Sequence, residues 1–462
     1  MTRLRSWLVL CACLLGVLLA SAQSKLPKVA FTDTTLDNGL RLIIVPDNTA
    51  PVFSISLTYN TGSRNEKAGH TGYAHLFEHL MFEGSSNVGK GEHMLLVQNY
   101  GGSMNGSTNN DQTNYFEELP KNQLDMALFL ESDRMRGLNL TQANLDNQRN
   151  AVQEERRLRV DNQPYGKSGE ELDSMAYDAF PYHHSVIGSM DDLNAASLDD
   201  FKEFFRIYYA PNNVVMVLAG DLDTKETLAK VKKYFGDIPR QPAPPALTFT
   251  EPEHTQERRK TMTDSLARLP QYHAAYNTVP GNTPDAYALQ VLSSILSGGG
   301  GFGGGGRSSR FYQHLVHDKQ LALNATAFAQ ARRGPGLFQI VAIPRPGVKL
   351  EDLEKAIQDE LDAVKKDGVT SAELAKVRTQ ALRQQIQARA STLALANQIG
   401  TLTVFYNEPD LINTAYDKLC AVTAEQVQQV AQKYLVTEHR SVVITLPAGR
   451  SGGPAGTQSG MQ

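Results

Sequence analysis

Tryptophan is almost missing from this chain: Trp7 is the single one in 462 residues. Cysteine is nearly as scarce, with Cys11, Cys13 and Cys420. Trp7 and two of the cysteines fall in one N-terminal segment. There Arg3 and Arg5 precede an apolar run, Trp7 to Leu19, and Ala20-Ser21-Ala22 offers a small-x-small cleavage site before Gln23. Residues 1–22 therefore read as a secretory signal, and the expectation is an exported protein, periplasmic or secreted. Without that segment only Cys420 remains, which excludes an internal disulfide framework. The apolar run is too short to span a bilayer comfortably, so no stable membrane span is expected. It also lacks the Arg-spaced amphipathic pattern of a transit peptide. Excess charge is absent too: the formal net charge is −4, which gives no footprint for a nucleic-acid partner. Ser297 to Gly306 holds eight glycines in ten residues, but no Gly-Lys-Ser/Thr follows, so it is read as a mobile loop rather than a phosphate cradle.

What remains is ordinary globular composition, 41% hydrophobic and 20% charged, in a chain too long for one typical domain. Strand signals run through Leu40 to Val45 and Val52 to Leu57. Next comes Gly72-Tyr73-Ala74-His75-Leu76-Phe77-Glu78-His79-Leu80. On a helix His75, Glu78 and His79 share one face. Two imidazoles plus one carboxylate from elsewhere form a common catalytic zinc shell. The order H-x-x-E-H is a known metallopeptidase arrangement.

A helix capped by Thr141 is expected to run to about Val160. Along one of its faces lie Leu145, Gln148, Val152 and Glu155, so Glu155 points inward with the two apolar residues. An inward carboxylate needs a partner. Zinc is one candidate; an ion pair with Arg156 or Arg159 is the other. Glu154, about 100° around the helix, points elsewhere. Pro181 to His184 is expected as a loop whose histidine pair is solvated or backbone-bonded. Met104-Asn105-Gly106-Ser107-Thr108 reads as an edge strand of a hairpin. Such an edge either pairs with an extended peptide or is an ordinary surface strand.

The second half repeats the first. Ser197 to Tyr208 before Val214 to Leu218 resembles Thr423 to Tyr434 before Val442 to Leu446, offset by 226 residues at the helix and 228 at the strand. We therefore expect an α+β fold of two homologous domains, each a mostly antiparallel sheet packed against helices. The boundaries are 28–240 for the metal-bearing domain, 241–262 for a Pro-rich linker, 263–447 for a second domain without a metal site, and 448–462 for a disordered tail. In the second copy Asp285 to Leu296 replaces the H-x-x-E-H helix. Ser371 to Gly400 reads as one long helix.

These motifs together resemble the insulinase/pitrilysin family of zinc peptidases, in the short-chain branch similar to mitochondrial processing peptidase subunits and bacterial exported homologues. The resemblance rests on His75 to His79, on Asn150 to Glu155 eighty residues later, on Asn105 to Thr108, and on Pro181 to Leu193 and Tyr208 to Asp221. It implies one Zn2+ per chain held by His75, His79 and Glu155, with Glu78 as general base and Met104 to Thr108 pairing with a peptide substrate. It implies a zinc endopeptidase working inside a chamber enclosed by two such domain pairs; the rival within the family is a non-catalytic binding or scaffold subunit. Three positions depart from the family pattern. Gln148 stands where a supporting glutamate is usual, and is expected to hydrogen-bond a ligand histidine. His317 and Leu323 stand where substrate-binding members carry Arg and Tyr. A heterodimer with a homologous subunit carrying that Arg/Tyr pair is therefore expected, with a homodimer as the alternative.

Overall fold

The computed structural model describes residues 26–298 and 306–448. The expected signal segment, most of the glycine run and all but Ala448 of the expected C-terminal tail lie outside the described residues. The first half forms a six-stranded sheet from β1 (Thr32–Thr35), β2 (Arg41–Pro46), β3 (Val52–Tyr59), β4 (Ser103–Thr108), β5 (Thr113–Pro120) and β6 (Val214–Gly220). Its order is β1-β2-β6-β3-β5-β4. The β2–β6 pair is parallel and the other pairs are antiparallel. The second half builds a sheet from β7 (Arg258–Asp264), β8 (Gln271–Asn277), β9 (Ala322–Gln330), β10 (Leu337–Pro344) and β11 (Arg440–Pro447), in the order β7-β11-β8-β10-β9. Its first pair, β7–β11, is again the parallel one. Apart from β1, the two sheets match strand for strand, so the repeat seen in the sequence is a repeat of topology.

The helices that matter for the site are α1 (Tyr73–Leu80), α2 (Glu92–Asn99), α3 (Leu124–Arg136), α4 (Gln142–Arg156) and α5 (Gly166–Ala176). The apolar face of α1 enters the core: Leu76, Phe77 and Leu80 are buried, and Phe77 packs on Phe201, Phe204 and Tyr209. That burial fixes the rotation of α1 and turns His75 and His79 toward α4.

The halves are interlocked rather than strung along a line. Helices α6 (Ser371–Arg389) and α7 (Thr392–Tyr406) belong to the second half. From α7, Leu395, Ala396 and Ile399 pack against Ile43, Val45, Val215, Val217 and Ala219 of the first sheet. Reciprocally, Leu172 and Ala176 of α5 pack with Ala275 and Val443 of the second sheet. Each half thus covers the free sheet face of the other. At the closest approach, a Cβ on Gly400 would stand 2.4 Å from Thr58 Oγ1, which is why α7 carries a glycine there.

Three expectations are adjusted. Strand β7 starts at Arg258, inside the stretch 241–262 read as linker; its Arg-Arg-Lys sequence hides a largely exposed edge strand held by parallel pairing with β11. The helix expected over 371–400 breaks at Ala390, because Ser391 accepts a hydrogen bond from Ala394 N and caps a new helix. The helix expected to about Val160 does run that far, its last turn, 157–161, widening to π-helical geometry, whereas Phe180–His183, expected within a loop, form a helical turn.

Candidate metal centre

Helix α1 starts at Gly72, which takes φ = 86°. A Cβ there would meet Ile187 O at 2.6 Å, so glycine is required on both counts. The first turn of α1 is capped by Glu66, which accepts from Gly72 N (3.0 Å) and Ala74 N (2.7 Å). A carboxylate at this end satisfies free N–H groups and complements the helix dipole.

His75 and His79 stand one turn apart with ring centroids separated by 4.9 Å. Their Nε2 atoms lie 3.7 and 3.4 Å from the same oxygen, Glu155 Oε2 on α4. Four-coordinate zinc with bonds of about 2.0–2.1 Å holds its ligand atoms roughly 3.3 Å apart. The three side chains therefore fit that ion in type and spacing. The other oxygen of Glu155 pairs with Arg159 Nη1 at 2.6 Å, so both partners considered for this carboxylate are compatible at once. Arg156 turns away to Glu170, and Glu154 faces solvent with Arg157.

Glu78 is buried on the same face of α1. Its Oε2 accepts a 2.5 Å hydrogen bond from Thr108 Oγ1 on β4. Burial pushes the Glu78 carboxyl up to about 7; the Thr108 bond opposes this and the Glu155 charge adds to it. Such a carboxylate is poised to exchange protons near neutral pH. Burial lowers His75 to about 3, helped by His79 and Arg159, so its imidazole is neutral and free to ligate.

Strand β4 is the outer strand of its sheet and, among the described residues, pairs with β5 alone. Met104, Gly106 and Thr108 point to one face, while Ser103, Asn105 and Ser107 are exposed. Gly106 passes directly against the base: a Cβ there would sit 2.9 Å from Glu78 Oε1. Gly106 N donates to Asn105 Oδ1 (2.9 Å).

Gln148 lies where the helix face placed it. His79 Nδ1 is 3.2 Å from Gln148 Oε1, and Gln148 Nε2 donates to Glu83 Oε1 at 2.5 Å. The sequence reading did not single out Glu66, Glu83 or the Thr108 hydroxyl's role. Glu83 lies in the turn past the end of α1, where helix spacing gives no signal. The histidine pair at 183 and 184 stays out of the centre: the Nδ1 atoms face Tyr177 O and Ser185 O.

In the second half, Pro284–Ser297 occupies the place of α1 and buries Leu289, Leu292 and Leu296. His317 is exposed and pairs with its neighbour Asp318, and Leu323, 49% exposed, lies at the start of β9.

Comparison with known proteins agrees with this layout. The family model described as Insulinase (Peptidase family M16) matches residues 41–189, and that described as Peptidase M16 inactive domain matches 195–381. The zinc protease PqqE of Helicobacter pylori is 35% identical over 360 residues, 77% of this chain and 79% of that protein. A probable mitochondrial-processing peptidase subunit beta of Arabidopsis thaliana is 24% identical over 409 residues, 87% of this chain and 76% of that protein. Among solved structures, a protease from Helicobacter pylori superposes with a TM-score of 0.85 at 30% identity, covering 91% of this chain and all of that one. The periplasmic protease PqqL from Escherichia coli shares the fold, with a TM-score of 0.73 at 19% identity over 92% of this chain and 48% of that one. These likenesses support a peptidase role, and the chain belongs to the insulinase family, peptidase family M16.

Proposed function

We propose that this chain is a zinc-dependent endopeptidase acting on peptides or unfolded segments, with His75, His79 and Glu155 as ligands of one ion. The observation that carries the proposal is the convergence of both Nε2 atoms on Glu155 Oε2, with buried Glu78 on the same helix face. When bound, zinc supplies Lewis acidity that polarises a carbonyl and acidifies water. Glu78 takes the proton of the attacking water and passes it to the leaving amide nitrogen. Thr108 holds one oxygen of Glu78 throughout, leaving the other for the proton. An extended peptide adds to the open edge of β4 by main-chain hydrogen bonds, drawing on the outward N–H and C=O groups of Met104 to Thr108. Asn105, which caps Gly106 N, swings aside as the peptide pairs.

The working form is a heterodimer enclosing a chamber. Exposed His317 and Leu323 on the second half offer no guanidinium or phenol toward a substrate, and a homologous partner with Arg and Tyr there supplies both. A homodimer is the alternative assembly. The N-terminal segment read as a secretory signal supports a location in the periplasm or outside the cell. The test is metal content and peptide cleavage of the purified chain, alone and with a candidate partner. One equivalent of zinc, and cleavage abolished by Glu78→Gln with the zinc retained, is the expected result. A chain with no zinc and no cleavage under either condition sinks the proposal in favour of a non-catalytic binding subunit.

A further inference from the structure

The two histidines are supported differently. His75 Nδ1 is buried with no hydrogen-bond partner among the described residues. His79 Nδ1 meets Gln148 Oε1, Gln148 Nε2 meets Glu83 Oε1, and Glu83 Oε2 lies 2.5 Å from Lys90 Nζ. These four side chains come from separate places: α1, the middle of α4, the turn after α1, and the loop before α2. Glu83 is 6% exposed, so its charge is not solvated at leisure.

A direction of hydrogen bonding follows from donor and acceptor inventory alone. An ionised carboxylate only accepts. Glu83 therefore draws the NH2 end of the Gln148 amide toward itself. The carbonyl end, Oε1, is then the end that faces His79. A carbonyl also only accepts, so His79 Nδ1 must carry the proton. A neutral imidazole has one N–H, so Nε2 is left bare, and Nε2 is the nitrogen beside Glu155 Oε2. Without Glu83 the amide can turn over, presenting NH2 to His79 and favouring the wrong tautomer. Lys90 sets a positive charge against the other oxygen of Glu83.

We infer that Glu83 is a positioning residue: acting through Gln148, it fixes the tautomer of His79 that can ligate a metal. This extends the zinc reading of the site and rests on it for its consequence, though not for its tautomer content. Gln148 alone, being able to donate or accept, cannot make the choice; the remote carboxylate makes it.

The experiment uses the full mature chain, Glu83→Gln, and the double variant Glu83→Gln/Gln148→Glu. In the double variant a carboxylate faces His79 directly and an amide donates to it, so the chain of bonds runs in the same direction with the charge moved one link. Two readouts are taken. In metal-free protein with 15N-labelled histidine, imidazole nitrogen shifts report the His79 tautomer. In chelator competition, zinc affinity is measured directly. The wild type should show the Nδ1–H tautomer. Glu83→Gln should show a mixture and bind zinc about tenfold more weakly, and the double variant should regain both. A wild-type tautomer and affinity in Glu83→Gln would overturn the inference while leaving the zinc assignment standing. So would a loss in Glu83→Gln that the double variant does not repair, since that marks a packing defect. If the wild type bound no zinc, the zinc reading would fall, and the metal-free shifts would still decide the tautomer claim.

Discussion

Strands β4 and β9 occupy the same edge of two sheets with the same strand order, and each lies against the helix that follows the sheet's central strand. Beyond β4 that helix presents His75, Glu78 and His79. Beyond β9 it presents Leu289, Leu292 and Leu296 to a core. On the metal-bearing side the edge strand bends its composition to the chemistry, with Gly106 thin enough to pass Glu78 and Thr108 bonded to it. On the other side no such fit is needed, and β9 carries ordinary alanines and an exposed leucine. The fold is thus indifferent to the site, and the site is a graft of a few side chains on one copy of a duplicated frame.

The largest test of that contrast removes the graft. Glu78→Gln should retain one zinc and lose peptide hydrolysis by about 10²–10⁴-fold, the range for a lost general base. His79→Ala should lose the ion itself, because two remaining ligands compete poorly with water. Glu78→Gln, which keeps the ion, should leave hydrogen exchange in β8 and β10 of the second sheet unchanged, whereas loss of the ion in His79→Ala should lower protection there too, since the two halves are interlocked. Full hydrolysis by the Glu78→Gln protein would place the base elsewhere.

A smaller effect comes from the space between β4 and α1. Gly106→Ala puts a methyl 2.9 Å from Glu78 Oε1, so either the strand or the carboxylate must move. A displacement of about an ångström at a reacting group costs up to ~10²-fold. The expected signature is a fall in kcat with zinc content unchanged. An alanine variant with normal kcat would show that Glu78 works in another rotamer.

How far the sequence reached differs between frame and site for a physical reason. Periodicity and spacing reveal what one element presents on one face. Hence α1, the inward run Leu145, Gln148, Val152 and Glu155, and the repeat of helix-then-strand were all legible. Contacts between elements were not. Nothing local says that Thr108 reaches Glu78, that Glu83 stands behind Gln148, or that α7 crosses to the other sheet. Strand β7 escaped because its residues are charged and largely exposed, and what makes it a strand is main-chain pairing with β11, far along the chain. The break at Ser391 was hidden because Ser is tolerated within helices, and only its captured N–H shows it to be a cap.

The interlock itself can be weakened without touching the site. Ile399→Ala removes buried volume between α7 and the first sheet, at a cost of about 2–5 kcal/mol. Gly400→Val overfills the contact with Thr58, at about 1–3 kcal/mol. Both should lower the midpoint in chemical denaturation for probes in either half together, since each half covers the other. Independent transitions in the two halves would show that the exchange of helices is not what couples them.

The smallest expected effect is a displaced pH profile, and it separates the base from its surroundings. Glu78 acts as a base only when ionised. Burial raises its carboxyl to about 7 without a metal, so activity should decline as pH falls through its acidic limb. A bound dication favours the ionised form, so in the zinc-loaded enzyme that limb lies below 7. Thr108 donates to the carboxylate, and a donor favours the charged form. Thr108→Val removes the donor while keeping the shape, so the limb must move toward higher pH. At pH 6 the variant should lose roughly threefold more of its kcat/KM than at pH 8, the size of a modest change in acidity. Thr108→Ser, which restores a hydroxyl, should return the profile toward that of the wild type. A limb that stays put in Thr108→Val would mean that this hydroxyl orients nothing on the base. A limb that moves to lower pH would mean that the acid it reports is not Glu78.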